Sequence, residues 1–170
     1  MKVLLYIFLI FIGSTACNSG HQLKSEEGNF SVNFPGKPTE NKHRIPTKDG
    51  NELEIFVYAY QSPDSTVEYF LSYNNIPNFV SADPDSILQG AKMGPAQVMR
   101  TSIMEEKKLE INGYPGLYFK GLGLDVGMIY YIYVVKDRMY QLAILNKEPR
   151  EPTAAEIKNF MGSFKLLEKP

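Results

Sequence analysis

The sequence predicts an α+β domain, a twisted antiparallel sheet of about six to seven strands flanked by helices. Three observations lead there. Apolar residues alternate with period two in several short stretches, each bounded by Pro, Gly, Asn or Asp. Two stretches, Glu52 to Gln61 and Met128 to Val135, are apolar on both faces, which marks strands covered from both sides. Capped helical signals occur after Asp83 and after Thr153, with a run of strands between them rather than a strand–helix alternation.

Each element has its own cause. Phe30, Val32 and Phe34 alternate with Ser31 and Asn33 as a half-buried strand, closed by the turn Pro35-Gly36-Lys37-Pro38. Glu40 to Ile45 is polar and reads as an edge strand. Pro46 and Asp49-Gly50 turn the chain into Glu52 to Gln61. There Leu53, Ile55, Val57 and Ala59 share one face, and Phe56, Tyr58 and Tyr60 the other. Thr66 to Ile76 fits a helical stripe through Val67, Phe70 and Leu71 and a strand through Tyr69, Leu71 and Tyr73; its Tyr, Phe and Val content favours the strand. Asp83 is a good helix N-cap with Pro84 behind it, and Gly94-Pro95 is expected to break or kink that helix before it resumes at Gln97. Ser102 to Ile111 is a strand, Asn112-Gly113 a hairpin turn that Pro115-Gly116 extends, and Leu117 to Leu124 the next strand. Met128 to Val135 is central, and Met139 to Leu145 pairs back on it. Thr153 and Glu156 make a capping box for a short helix, with Ile157, Phe160, Met161 and Phe164 on one face and Gly162 as its stop.

Composition excludes several function classes. The 170 residues have a formal net charge of −1; residues 1–16 hold one charge, Lys2, leaving 17 Lys+Arg against 19 Asp+Glu, or −2. Nucleic-acid binding needs clustered positive charge, so no nucleic-acid partner is expected. The single Cys permits no internal disulfide.

That cysteine has a different explanation. Lys2 is followed by an unbroken apolar run from Val3 to Ile12, too short to span a bilayer and the right length for a signal peptide. Gly13-Ser14-Thr15-Ala16-Cys17 resembles a lipobox, with Ser14 where Leu is commoner. The resemblance implies cleavage after Ala16, acylation of Cys17 and a membrane partner reached through that N-terminal lipid. Ser14 and Ala16 also satisfy a general signal peptidase; the position of the sole Cys favours acylation. Residues 17–27 then read as the lipidated Cys and a flexible polar tether, and 28–168 as one domain. Residue 18 is not the Asp that retains enteric lipoproteins in the inner membrane, so the expected place is the outer membrane, facing the periplasm.

Four segments recur together in a known group: F-x-V-x-F-P-G-K-P from Phe30 to Pro38, N-G-Y-P-G from Asn112 to Gly116, R-M-Y-Q-L from Arg138 to Leu142, and F-M-G-S-F-K-L from Phe160 to Leu166. The domain resembles small bacterial envelope proteins of the PsbP-like class, whose fold also includes the extrinsic photosystem II protein and a yeast Ran-binding protein. The resemblance implies an α/β/α sandwich. Its motifs are turns and core positions, and no functional residue is carried over, since fold does not fix function. Gly113 and Gly116 are expected to supply positive φ or close approach. Tyr140 is expected in the core with its hydroxyl at the rim, and Phe164 as the plug of the last helix.

Catalytic groupings are sparse. His21 lies in the tether and His43 on the polar edge strand, no G-x-S-x-G is present, and neither metal nor cofactor is implied. Gly121-Leu122-Gly123 lacks the third glycine and the helix of a dinucleotide fingerprint. Glu105-Glu106-Lys107-Lys108 reads as a solvated strand, and Lys42, His43, Arg44 and Lys48 as a charged edge that resists sheet-to-sheet pairing. Tyr58, Tyr60, Tyr131 and Tyr133 are candidates for a binding surface, with core filling as the competing role. Two functions stay open. One is a non-enzymatic binding or assembly module that docks an envelope protein. The other is a small-molecule or lipid carrier, which would need a deep apolar cavity of about 300 Å³ or more between sheet and helices.

Overall fold

A computed structural model describes residues 20–47, 50–76, 83–148 and 150–167. The predicted signal peptide, Cys17, Lys48 and Asp49 lie outside these residues. Among the described residues, ten strands form two antiparallel sheets. The main sheet has seven strands: β3 (Thr39–Pro46), β4 (Glu52–Gln61), β5 (Val67–Asn75), β6 (Ser102–Ile111), β7 (Tyr114–Leu122), β8 (Gly127–Val135) and β9 (Arg138–Asn146), in the order β3-β4-β5-β9-β8-β7-β6. The small sheet sets β2 (Phe30–Phe34) between β1 (His21–Ser25) and β10 (Lys165–Leu166).

The main sheet is covered on both faces. Helix α1 (Pro84–Val98) packs on β7 and β8, where Leu88 and Ala96 meet Leu117, Phe119, Met128, Tyr130, Ile132 and Val134. On the other face the small sheet and helix α2 (Ala154–Asn159) cover Tyr69, Leu71, Tyr73, Ile129, Tyr133, Tyr140, Leu142 and Ile144. Strand β8 is apolar throughout because its even positions face α1 and its odd positions face the small sheet. A flat sheet with solvent on one side would have left half of those residues wet. Phe30, Val32 and Phe34 point inward while Ser31 and Asn33 point outward.

The α+β class stands, and the structure revises five details. Residues 21–25, expected as tether, form β1: Leu23 pairs opposite Val32 and packs against the core, so the domain begins before residue 28. The sheet predicted as six to seven strands has seven, and a second sheet of three shares the outer layer with α2. Helix α1 runs unbroken through Pro95. Gly94 before it has no Cβ to clash with the proline ring, which removes one of the reasons a helix stops before proline. Strand β7 begins at Tyr114 and contains Pro115. That is tolerated because Pro115 pairs only with Glu110 of β6, ahead of the first pairing with β8 at Gly116. The last helix ends at Asn159, and Phe160 and Met161 reach the core from a 3-10 turn over Met161–Ser163, followed by β10.

The turn motifs do what their chemistry suggests. Asn112 and Gly113 both have positive φ, 50° and 80°, as a type I′ hairpin requires. Gly116 serves close approach instead: a Cβ there would stand 2.5 Å from the Tyr133 ring and 2.9 Å from the Ile132 carbonyl.

Candidate functional site

An open groove of about 740 Å³ lies on the outer face of the small sheet, beside α2. Strand pairing builds its floor. Gln22 of β1 lies opposite Asn33 of β2, and Ser31 sits in one row between Lys24 of β1 and Lys165 of β10. Lys158 and Asn159 of α2 form one wall. Beneath lie Tyr69, Phe34 and Phe160, with Phe34 and Phe160 rings 4.8 Å apart and the Tyr69 ring edge-on to Phe160 at 5.4 Å.

The wall is held by short polar links. Thr153 caps α2 by a reciprocal box: its backbone N–H donates to Glu156 Oε2 at 2.6 Å, and the Glu156 N–H donates to Thr153 Oγ1 at 3.2 Å. Burial pushes the Glu156 carboxyl up, but the bonds from Thr153 and the Arg150 guanidinium outweigh it and hold the group below its ordinary range. Ser163 ties the 3-10 turn to β2, accepting from the Asn33 N–H at 2.8 Å and donating to the Phe160 carbonyl at 2.7 Å. Burial, helped by the Glu156 charge, pushes the Tyr69 hydroxyl up to about 12, so it stays a neutral donor. Among the described residues, the side chains of Gln22, Asn33, Asn159, Lys158 and Lys165 make no hydrogen bond or ion pair. The groove therefore presents amides and ammonium groups that are free to bind. It can hold polar or anionic groups. It is an open cleft with a mixed lining, not the closed apolar cavity a carrier needs.

No family model matches the chain, and no curated protein matches it. Among solved structures, the solution structure of a cyanobacterial PsbP, CyanoP from Synechocystis, superposes with a TM-score of 0.56 over 91% of this chain and 96% of that one, at 7% identity. The fold is PsbP-like. A Bacteroides thetaiotaomicron protein matches with a TM-score of 0.51 and 15% identity over 89% of this chain, which spans half, 50%, of that protein's length. At such identities the likeness is one of fold.

Within this PsbP-like frame the recurring motifs act as clamps. Tyr140 is 1% exposed, and its hydroxyl donates to the Gly28 carbonyl at 2.7 Å; it is buried, not at the rim. Arg138 donates to the Glu27 carbonyl at 2.8 Å, so R-M-Y-Q-L fixes the β1–β2 turn to β9. Phe164 is buried among Phe30, Tyr133 and Tyr140, at ring separations of 5.8, 5.8 and 5.5 Å.

The four candidate tyrosines divide. Tyr58 and Tyr133 are 5% and 7% exposed and belong to the core, which corrects their proposed place on a surface. The small sheet covers them, since β1, which the sequence concealed, completes that layer. Tyr60 and Tyr131 are half-buried at the rim of the same cluster and form no groove with the other two. His43 is exposed on the edge strand β3. The basic groups beside it are answered, Lys42 by Glu54 at 2.9 Å and Arg44 by Glu54 at 3.1 Å. Glu106 bonds Lys92 and Gln89 and so joins β6 to α1, while Glu105 accepts from the Tyr118 hydroxyl at 3.1 Å across the β6–β7 pair of the same sheet.

A second surface was not foreseen. Five large apolar side chains are exposed among the described residues, Ile45 on the edge strand β3 and four others. Met93 and Val98 are on the helix, Met104 is on β6 just after it, and Leu124 is in the β7–β8 loop. That loop packs on the helix end: a Cβ on Gly123 would lie 3.1 Å from the Arg100 carbonyl. Val98 is 78% exposed and Leu124 92%. The fold sets the loop that carries Leu124 against the end of the helix that carries Val98.

Proposed function

We propose that the chain is a binding or assembly module without catalytic activity, tethered by acylated Cys17 to the outer membrane of a bacterial envelope. It faces the periplasm and docks an envelope protein there. The observation that carries the docking reading is the apolar corner where the loop bearing the exposed Leu124 packs on the end of α1, which bears the exposed Val98. Large aliphatic side chains left this exposed on neighbouring segments gain from being covered by a partner. Aliphatic side chains suit the centre of a protein interface, with charges such as Arg100 and Asp125 at its rim. The free amides and lysines of the groove favour binding over bond-making chemistry. The PsbP-like fold, with both faces of its main sheet packed, favours surface contact over an enclosed ligand.

Cross-linking followed by pull-down of the full, membrane-extracted protein tests the reading. It predicts a second protein whose recovery falls at least tenfold with Val98→Glu or Leu124→Glu, while the circular dichroism spectrum is unchanged. Recovery of the monomer alone under several growth conditions contradicts it.

A further inference from the structure

We infer that the groove face of the small sheet rests on anionic lipid headgroups, with the α1 face turned away from the bilayer. This rests on the reading of Cys17 as the membrane anchor. Gly20 lines the groove, and only Asn18 and Ser19 separate it from Cys17, three Cα–Cα steps away. Consecutive Cα atoms are 3.8 Å apart, so the acylated residue lies within about 11 Å of Gly20. A domain held this closely cannot turn a distant face to the membrane without dragging the groove edge away from its anchor.

The charge on this face fits that placement. Lys24 and Lys165 flank Ser31 in one row, and Lys158 stands on the α2 wall. Lys158 and Lys165 have no ion-pair partner among the described residues, and Lys24 has only the exposed Glu26. The one carboxylate lining the groove, Glu156, is taken by Thr153 and Arg150. Lipid phosphates meet two free ammonium groups, the amides of Gln22, Asn33 and Asn159, and no unpaired negative charge. Juxtamembrane lysines within a Debye length of an anionic leaflet are attracted to it. The layer order then sends the apolar corner into the periplasm, because α1 covers the opposite face of the main sheet.

The test uses the full acylated protein in vesicles of phosphatidylcholine, with or without phosphatidylglycerol, carrying one fluorophore at Asn33→Cys or at Asp125→Cys. In the anionic vesicles an aqueous quencher should reach the label at 33 several-fold less than the label at 125. Combining Lys24→Glu, Lys158→Glu and Lys165→Glu should abolish that shielding while the protein stays on the vesicles. Equal quenching at both positions, or shielding that ignores the charge reversal, overturns the inference alone. A protein whose mass shows no acyl group and which leaves the vesicles overturns the anchoring reading and this inference with it.

Discussion

Tyr140 shows how one side chain can hold two layers together. Its ring fills the core, and its hydroxyl satisfies the carbonyl of Gly28 across 112 residues of sequence. Tyr140→Phe keeps the ring and orphans a buried carbonyl, a loss of about 1–2 kcal/mol. Urea unfolding should show a lower midpoint with an unchanged slope. Gly116→Ala should cost about 1–3 kcal/mol by overpacking, because the new methyl meets the Tyr133 ring and a fixed carbonyl. A thermal midpoint within a degree of wild type would refute that. Part of this was legible in the sequence. The N-G turn and the inward Phe30, Val32 and Phe34 follow from local periodicity and from the φ that Asn and Gly accept. The partner of the Tyr140 hydroxyl was not, because a hydrogen bond between distant segments leaves no local pattern.

Elements were legible in proportion to their amphipathic contrast. Strands β4 and β8 declare themselves by being apolar on both faces, and α1 and α2 by their caps. Strand β1 was hidden because HQLKS is mostly polar. Only Leu23 is strongly apolar, and the strand exists because β2 supplies its backbone partners. Strand β10 has two residues and no period to read. Gly94-Pro95 misled because a proline inside a helix is usually a break, and the preceding glycine cancels half of the reason. The capping box at α2 supports a sharper prediction. Thr153→Ala should cost about 1 kcal/mol and loosen the groove wall. The Glu156 carboxyl is held low in the folded state, so the unfolded chain takes up its proton first as the solution is acidified. Its stabilising contribution is complete above pH 4.5 and is lost as the pH falls through the lower folded value. Glu156→Gln should therefore narrow the stability difference between pH 7 and pH 3 measured by urea unfolding. An unchanged difference would count against the box.

At the scale of the whole molecule, three layers share the work. The main sheet carries two cores, the small sheet presents a polar groove, and α1 presents an apolar corner. The cores make an alkaline prediction. Burial pushes the hydroxyls of Tyr69, Tyr118, Tyr130 and Tyr133 up to about 12, above the ordinary 10. The unfolded chain loses those protons first, so stability is whole below pH 10 and declines as pH rises towards 12. Tyrosinate absorbance should rise together with loss of the β-sheet signal in that window; ionisation of all tyrosines at pH 10 with the fold intact would contradict it. The groove and the corner were only half legible. Their residues are unremarkable one by one, and pairing across β1, β2 and β10, or a loop laid on a helix end, is what gathers them. The place of the molecule in the cell rests on its first residues, and the orientation of both surfaces depends on it. Intact-mass analysis of the natural protein extracted from membranes tests this most directly. The account predicts a chain that begins at Cys17 and carries the added mass of its acyl groups. A chain that still begins at Met1, or one with an unmodified Cys17 thiol, would contradict it.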